Sequence, residues 1–216
     1  MSECKSYTHA LIMGVFLFFV GCTFEKDQGP LPYLGHKKVI EGQEVPHSIR
    51  PFRLINQDSI WITNATLEPY IYIVDYFFIS CPSICPIVKK QMLRIYERYK
   101  NEDLIKLVSI SMDPKRDSVG VLKTYATNLE VDHNKWWFLT GNKQEILDLA
   151  SDYFIVAYED DSAPGGFDHS GKIILVDRKG RVRGFAEGTD KDSVTGFFRI
   201  IDRLIREYQS IVDGEN

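Results

Sequence analysis

Contiguous apolar stretches alternate along this chain with stretches in which apolar residues recur every three or four positions. The run at 70–79 is dense in aromatic and β-branched residues, which is typical of a central strand buried on both faces. From Ile84 to Tyr99 the apolar positions follow a helical period with Lys and Arg between them, which predicts an amphipathic helix. A second buried strand is predicted at 104–112, and Asp117 is predicted to cap a further helix.

The same alternation continues to the C-terminus. Asn142 and Glu145 have the spacing of a capping box and predict the start of another helix. Thr189 is predicted to open a last amphipathic helix. Further strands are predicted at 136–139, 154–158, 172–177 and 182–185, and an N-terminal hairpin within 36–63. Strands alternating with helices, followed by a hairpin and a final helix, predict an α/β fold with a central mixed sheet in one domain over 36–210.

Composition narrows the class of protein. The chain has 216 residues, 44% hydrophobic and 26% charged, which is ordinary globular composition. Its net charge of −4 lacks the basic excess that binds phosphate backbones, so no nucleic-acid partner is expected. Four cysteines are too few to build a disulfide scaffold in a chain of this length.

The N-terminus has the pattern of an export signal. The apolar run Ala10–Val20 is too short to cross a bilayer as a helix, which needs about 20 residues, but it suits the hydrophobic region of a secretory signal. Gly21-Cys22 closes the run and resembles a bacterial lipobox. We therefore predict a signal peptide at 1–21, lipidation of Cys22 and a flexible tether at 22–35, with a short tail at 211–216. The alternative is a short buried helix ending in a core cysteine.

These features predict an exported lipoprotein, anchored through Cys22 and facing the periplasm, with its lipid in the inner membrane. A covalent lipid holds a protein to a membrane without spanning it.

The chemistry is concentrated at Cys81 and Cys85, which lie between the central strand and the amphipathic helix. Their spacing places both sulfurs on one side of a helical turn. The positive end of the helix dipole favours thiolate over thiol. Pro82 and Pro86 are tolerated in a first turn, and they predict a helix start near residues 81–83.

Two adjacent thiolates can form a disulfide or hold a soft metal. Cu(I) prefers thiolate and imidazole ligands, so a histidine is expected to complete a copper site. His169 lies in a glycine-marked loop, Gly165 to Ser170, that enters a strand. The other histidines are predicted to be solvated or to belong to the signal: His9, His36, His47 and His133.

Three segments are together similar to one family. They are Cys81-Pro-Ser-Ile-Cys85-Pro, the stretch from Ser111 to Asp117 (SMDPKRD), and Asp168-His169 entering a strand. The chain resembles the SCO/SenC family of thioredoxin-fold proteins, which assemble the copper centre of cytochrome c oxidase. The resemblance covers roughly 51–208.

The resemblance implies a thioredoxin-like fold and a copper site formed by Cys81, Cys85 and His169, with Cu(I), Cu(II) or both as cargo. The implied partner is the copper-bearing subunit of cytochrome c oxidase, together with a copper donor and a thiol reductant that the sequence does not identify. Asp168 is interpreted in two ways, as a group that hydrogen-bonds the imidazole or orients its loop, and as a plain strand-entry residue. Asp113, Arg116 and Asp117 are interpreted as a structural turn and helix cap.

Several alternatives share this dithiol. A membrane-anchored thiol–disulfide oxidoreductase would use Cys81 and Cys85 to reduce target cysteines, although such reductants usually have two residues between their cysteines rather than three. The two roles can coexist, because copper release leaves an oxidisable dithiol. A thiol peroxidase is another alternative, but the motif that such enzymes carry before their reactive cysteine is not present before Cys81. Zinc is an alternative metal, because it would accept the same two cysteines and histidine. No catalytic residue is predicted beyond the dithiol.

Overall fold

The computed structural model describes residues 29–214, and the elements below are those of this range. The strands are β1 Lys38–Ile40, β2 Gln43–Val45, β3 Arg53–Asn56, β4 Trp61–Thr63, β5 Ile71–Phe77, β6 Ile105–Ser111, β7 Trp136–Thr140, β8 Ala157–Glu159, β9 Phe167–His169, β10 Lys172–Val176 and β11 Val182–Glu187. The helices are α1 Asn64–Leu67, α2 Cys85–Tyr99, α3 Val119–Asn128, α4 Lys143–Ala150 and α5 Lys191–Gly214.

Seven of these strands form the main sheet, in the order β11-β10-β5-β6-β7-β3-β4. The centre, β5-β6-β7, is parallel, and the flanking pairs are antiparallel. All seven residues of β5 are buried, which explains why its sequence is nearly continuous in apolar residues. The predicted α/β fold with a mixed central sheet is confirmed.

Helices cover both faces of the sheet. Successive residues of β5 point to opposite faces and contact different helices. Asp75 faces α2, where it pairs with Lys89. Tyr72 and Tyr76 face the other way, towards α4 and a 3₁₀ turn at Ser151–Tyr153. Helix α5 packs along β11 and touches α2. The end of β5 and the start of α2 therefore meet at one rim of the sheet.

The region after α4 differs from the prediction. The strand expected at 154–158 is shorter and begins at Ala157, because Phe154 adopts a left-handed conformation after the 3₁₀ turn. Strand β8 pairs with β9 in a small antiparallel ribbon outside the main sheet. This ribbon carries His169, paired with Ala157.

The structure also corrects two predicted boundaries. The last part of the expected tether is attached to the domain: Leu31 is buried, and Leu34 N–H donates to the Val182 carbonyl at 2.9 Å. The buried Arg183 guanidinium donates to the Leu31 carbonyl at 2.7 Å and to Glu207. Helix α5 continues to Gly214 through most of the predicted tail. The predicted signal peptide and Cys22 lie outside the described residues.

Within residues 29–214, no helix is both long enough and apolar enough to cross a membrane.

Candidate metal centre

The two cysteines occupy the turn between β5 and α2. Cys81 lies in the loop, where its N–H donates to the Phe78 carbonyl at 3.2 Å. Cys85 is the first residue of α2 and Pro86 the second, so the helix begins later than the predicted 81–83. No side chain caps the helix, and Ile84 occupies the N-cap position. Both thiols are free and buried.

His169 reaches the cysteines from the separate β8–β9 ribbon. Its Nε2 lies 3.4 Å from the Cys85 sulfur and 3.8 Å from the Cys81 sulfur. The imidazole packs edge-on against Phe78, with ring centroids 5.7 Å apart. Side chains from two distant parts of the chain therefore converge at one buried point.

The spacing of these donors fits a metal ion. The three ligand atoms lie within 4.8 Å of one another. A metal with sulfur at about 2.3 Å and nitrogen at about 2.0 Å places its donors about 3.7 Å apart in a trigonal arrangement. The observed sulfur–nitrogen distances match that value, so Cys81, Cys85 and His169 could hold one soft ion.

The SCO1/SenC family model matches residues 41–205. The chain belongs to the SCO1/SenC family. Among curated relatives, the SCO1 protein homolog of Bacillus subtilis is 28% identical over 184 residues, covering 84% of this chain and 86% of the relative.

Solved structures of family members have the same fold. Arabidopsis thaliana ScoI with copper bound has a TM-score of 0.60 at 25% identity, over 71% of this chain and 98% of that one. BsSco, described as a member of the Sco family of cytochrome c oxidase assembly proteins with a disulfide switch, has a TM-score of 0.62 at 24% identity. Its match covers 73% of this chain and 93% of that one. The thioredoxin-like fold implied by the sequence resemblance is confirmed.

The two family cysteines differ in acidity. Burial opposes ionisation of Cys81, but hydrogen bonds from His169 and from the backbone N–H groups of Ser83 and Cys85 outweigh it and lower its pKa to about 6. Burial, followed by the effect of the neighbouring Cys81, raises the pKa of Cys85 well above its usual range. In the metal-free dithiol, Cys81 is therefore the thiolate and Cys85 the thiol at neutral pH.

Among the described residues, the Asp168 carboxylate makes no hydrogen bond with the imidazole. Its exposed carboxylate accepts a hydrogen bond from the Tyr158 hydroxyl at 2.7 Å, across the β8–β9 ribbon. His169 Nδ1 is buried without a hydrogen-bond partner among the described residues. The predicted hydrogen bond between the imidazole N–H and the Asp168 carboxylate is thus not found among the described residues, and the carboxylate accepts from Tyr158 of the facing strand instead.

The acidic residues of the SMDPKRD stretch hydrogen-bond within the domain, and the predicted cap is wrong. Ser118, not Asp117, occupies the N-cap of α3. Asp117 is buried, and its carboxylate accepts hydrogen bonds from the Ile79 N–H at 3.1 Å and the Ser111 hydroxyl at 2.6 Å.

Sequence reasoning missed Phe78, whose ring contacts both His169 and Phe167. Nothing in the local pattern distinguishes it from the other apolar residues of its run. Two histidines expected to be solvated have partners instead: His47 Nε2 lies 2.8 Å from the Asp152 carbonyl, and His133 contacts the Asp58 carboxylate. Neither belongs to the Cys81, Cys85 and His169 cluster.

Proposed function

We propose that this protein is a copper metallochaperone that holds one copper ion through Cys81, Cys85 and His169. The observation that carries the proposal is the convergence of two sulfurs and one imidazole nitrogen within 4.8 Å in a buried site. Thiolate and imidazole together are ligands that copper in its Cu(I) form prefers. Copper is the cargo of this site, and the family relative with copper bound supports that assignment.

The arrangement suits a carrier that must also release its ion. The cysteines are fixed by β5 and α2, whereas the histidine is supplied by a ribbon outside the main sheet. An incoming ligand can therefore replace His169 without disturbing the helix that holds the dithiol. The family is described as one of cytochrome c oxidase assembly proteins, which supports the copper-bearing subunit of that oxidase as the acceptor.

The test is a Cu(I) titration of the reduced full chain by ligand competition, with His169→Ala as the probe and His133→Ala as the matched control. We expect one copper per wild-type chain and per control chain. Loss of the imidazole is expected to weaken binding by at least about 100-fold, because loss of an outer-shell partner alone costs about 10–100-fold. Equal affinity of His169→Ala and wild type would remove the histidine from the site.

A second candidate function, thiol–disulfide oxidoreductase, is favoured by the acidity difference between the cysteines. The Cys81 thiolate would attack a target disulfide and expel one target thiolate. Cys85, after losing its proton, would then attack Cys81 and release the second, leaving a Cys81–Cys85 disulfide and a target reduced by two electrons. Rapid insulin reduction by a chain that binds no copper would favour this function over the first.

We also propose that Cys22 is acylated and that the domain faces the periplasm from the inner membrane. The support is the sequence alone: an apolar run too short to span a bilayer, closed by Gly21-Cys22.

A further inference from the structure

The SMDPKRD stretch, between β6 and α3, contacts both loops that supply the metal ligands. On one side, the Asp117 carboxylate accepts from the Ile79 N–H, just before Cys81. On the other, the Arg116 guanidinium donates from Nη2 to the Gly165 carbonyl at 2.7 Å, in the loop that leads to His169. One turn of chain therefore links the cysteine loop to the histidine loop.

Arg116 is oriented for this contact by a second hydrogen bond, to Asp113. Its Nε donates to the Asp113 carboxylate, which is buried. Asp113 is itself fixed, because its N–H donates to the Ser111 hydroxyl and its carbonyl accepts from the Asp117 N–H. A planar guanidinium held at one edge by a carboxylate presents its other N–H groups in a defined direction.

The acceptor, Gly165, lies against Phe78 and Pro82, in the segment that carries Cys81. It has a φ of +87°, and a Cβ built there would lie 2.6 Å from the Phe78 ring, so the loop approaches this ring as only glycine permits. The same ring contacts Phe167 and His169. The position of the Gly165 peptide is thus coupled to the position of the imidazole.

The loop at 160–166 is otherwise bonded mainly to itself. Gly166 N–H donates to the Ala163 carbonyl, and Asp160 N–H donates to the Gly166 carbonyl. Among the described residues, Arg116 is the side chain from outside the loop that donates to its backbone between 160 and 166. His169 Nδ1 adds no anchor of its own within the described part of the chain.

We infer that Arg116 is a positioning residue that latches the His169 loop to the turn between β6 and α3, and so sets the fraction of molecules in which the imidazole faces the two sulfurs. An exposed ion pair alone contributes little. This contact differs because it joins a buried carboxylate to a loop carbonyl through one guanidinium. The consequence for copper rests on the proposed function, since apparent affinity falls in proportion to the competent fraction.

The first experiment needs no metal. Amide hydrogen exchange is followed in the reduced, metal-free full chain for wild type, Arg116→Met and the matched control Lys115→Met, which removes a neighbouring exposed positive charge. We expect Arg116→Met to speed exchange across 160–169 about tenfold, the scale of one charge-assisted hydrogen bond, with α2 and α5 unchanged. Unchanged exchange in 160–169, or equal acceleration in the control, overturns the latch.

The second experiment asks whether the latch acts through the histidine. Cu(I) affinity is measured for wild type, Arg116→Met, His169→Ala and the double variant. We expect Arg116→Met to weaken binding about tenfold in the wild-type background and to have no further effect once His169 is absent. An equal loss in both backgrounds overturns the inference. If the wild-type chain binds no copper, the proposed function fails while hydrogen exchange still decides the latch.

Discussion

At the scale of single residues, Cys81 and Cys85 have the same side chain but opposite acidities. They are almost equally inaccessible to solvent, at 6% and 7% relative exposure. Burial is the largest effect on both thiols and opposes ionisation of each. At Cys81 it is outweighed by hydrogen bonds from His169 and two backbone N–H groups, whereas at Cys85 burial and then the neighbouring Cys81 prevail. The pair can hold only one negative charge easily until a cation binds.

This acidity predicts the pH dependence of alkylation in the metal-free, reduced chain. Only the thiolate reacts, so the rate at Cys81 should rise with pH to a midpoint near 6, its lowered pKa, while Cys85 stays unmodified. Because His169 is the largest of the effects lowering that pKa, His169→Ala should move the midpoint upwards. Iodoacetamide rates, read by peptide mass spectrometry, check both. A midpoint near the ordinary thiol value, about 8.5, would contradict this assignment.

At the scale of elements, α2 is joined to the sheet by a buried charge. Lys89, on α2, lies 3.3 Å from the Asp75 carboxylate of β5 and 3.0 Å from the Ser109 hydroxyl of β6. The ammonium also lies over the Phe77 ring, 4.3 Å from its centroid. Burial lowers the pKa of Lys89, and Asp75 opposes that shift. The helix bearing Cys85 is thus fixed to the two central strands by polar contacts as well as by packing.

Replacing Lys89 by Met should therefore be costly. The change leaves the Asp75 carboxylate buried without its cation, and breaking one side of such a pair costs about 3–5 kcal/mol. Urea unfolding of the reduced, metal-free chain measures the loss. Lys90→Met is the control, since its side chain is exposed on the same helix, and it should change the free energy of unfolding by less than about 0.5 kcal/mol. Similar values for both variants would show that the buried pair has no special role.

The elements that sequence predicted well are those with a strong local pattern. The buried run of β5 and the apolar period of α2 could be recognised directly, and rare cysteines with a loop histidine marked the ligands. The start of α2 was misplaced because Pro82 and Pro86 are each compatible with a first turn. Of the β8–β9 ribbon, the strand predicted at 154–158 overlaps β8, whereas β9 and its pairing with β8 are not predicted because the sequence there has little alternation.

Contacts between distant segments could not be predicted in this way. The Arg116 bond to Gly165 and the Phe78 contact with His169 join parts of the chain that no local period relates. Both depend on how the turn after β6 and the ribbon before β10 meet at the rim of the sheet. The ligands of the site were therefore accessible from sequence, and the groups that position them were not.

At the scale of the whole molecule, the chain enters the domain at the end of the sheet opposite the metal site. The Leu34 N–H donates to the carbonyl of Val182, where β11 begins. Val182 pairs with Val176 of β10, and Val176 pairs with Tyr72 near the start of β5, so these residues lie at the same end of the sheet. Cys81 follows the end of β5. The length of that strand, about 20 Å, separates the two ends.

Acylation of the full chain tests the membrane anchor. In a bacterial host given a labelled fatty acid, wild type should carry label and sediment with membranes. Cys22→Ala should lose both properties, because the lipid is the predicted link to the bilayer. Cys4→Ala is the matched control, since Cys4 falls within the predicted signal, and it should behave as wild type. Equal labelling of Cys22→Ala and wild type would exclude Cys22 as the acylated residue.

With the proposed lipid on Cys22, the attachment of Leu31 to Arg183 would limit how far the metal site can move from the bilayer. With Leu31 held against the domain, a lipid on Cys22 would leave only residues 22–30 as a leash, and a segment of that length extends at most about 30 Å. The metal site lies at the end of the sheet opposite the point where this segment joins the domain. A protein receiving copper would need to present its ligands on the side of the domain that is distant from the bilayer. Otherwise the whole domain would have to rotate about the 22–30 segment to bring the site towards the membrane.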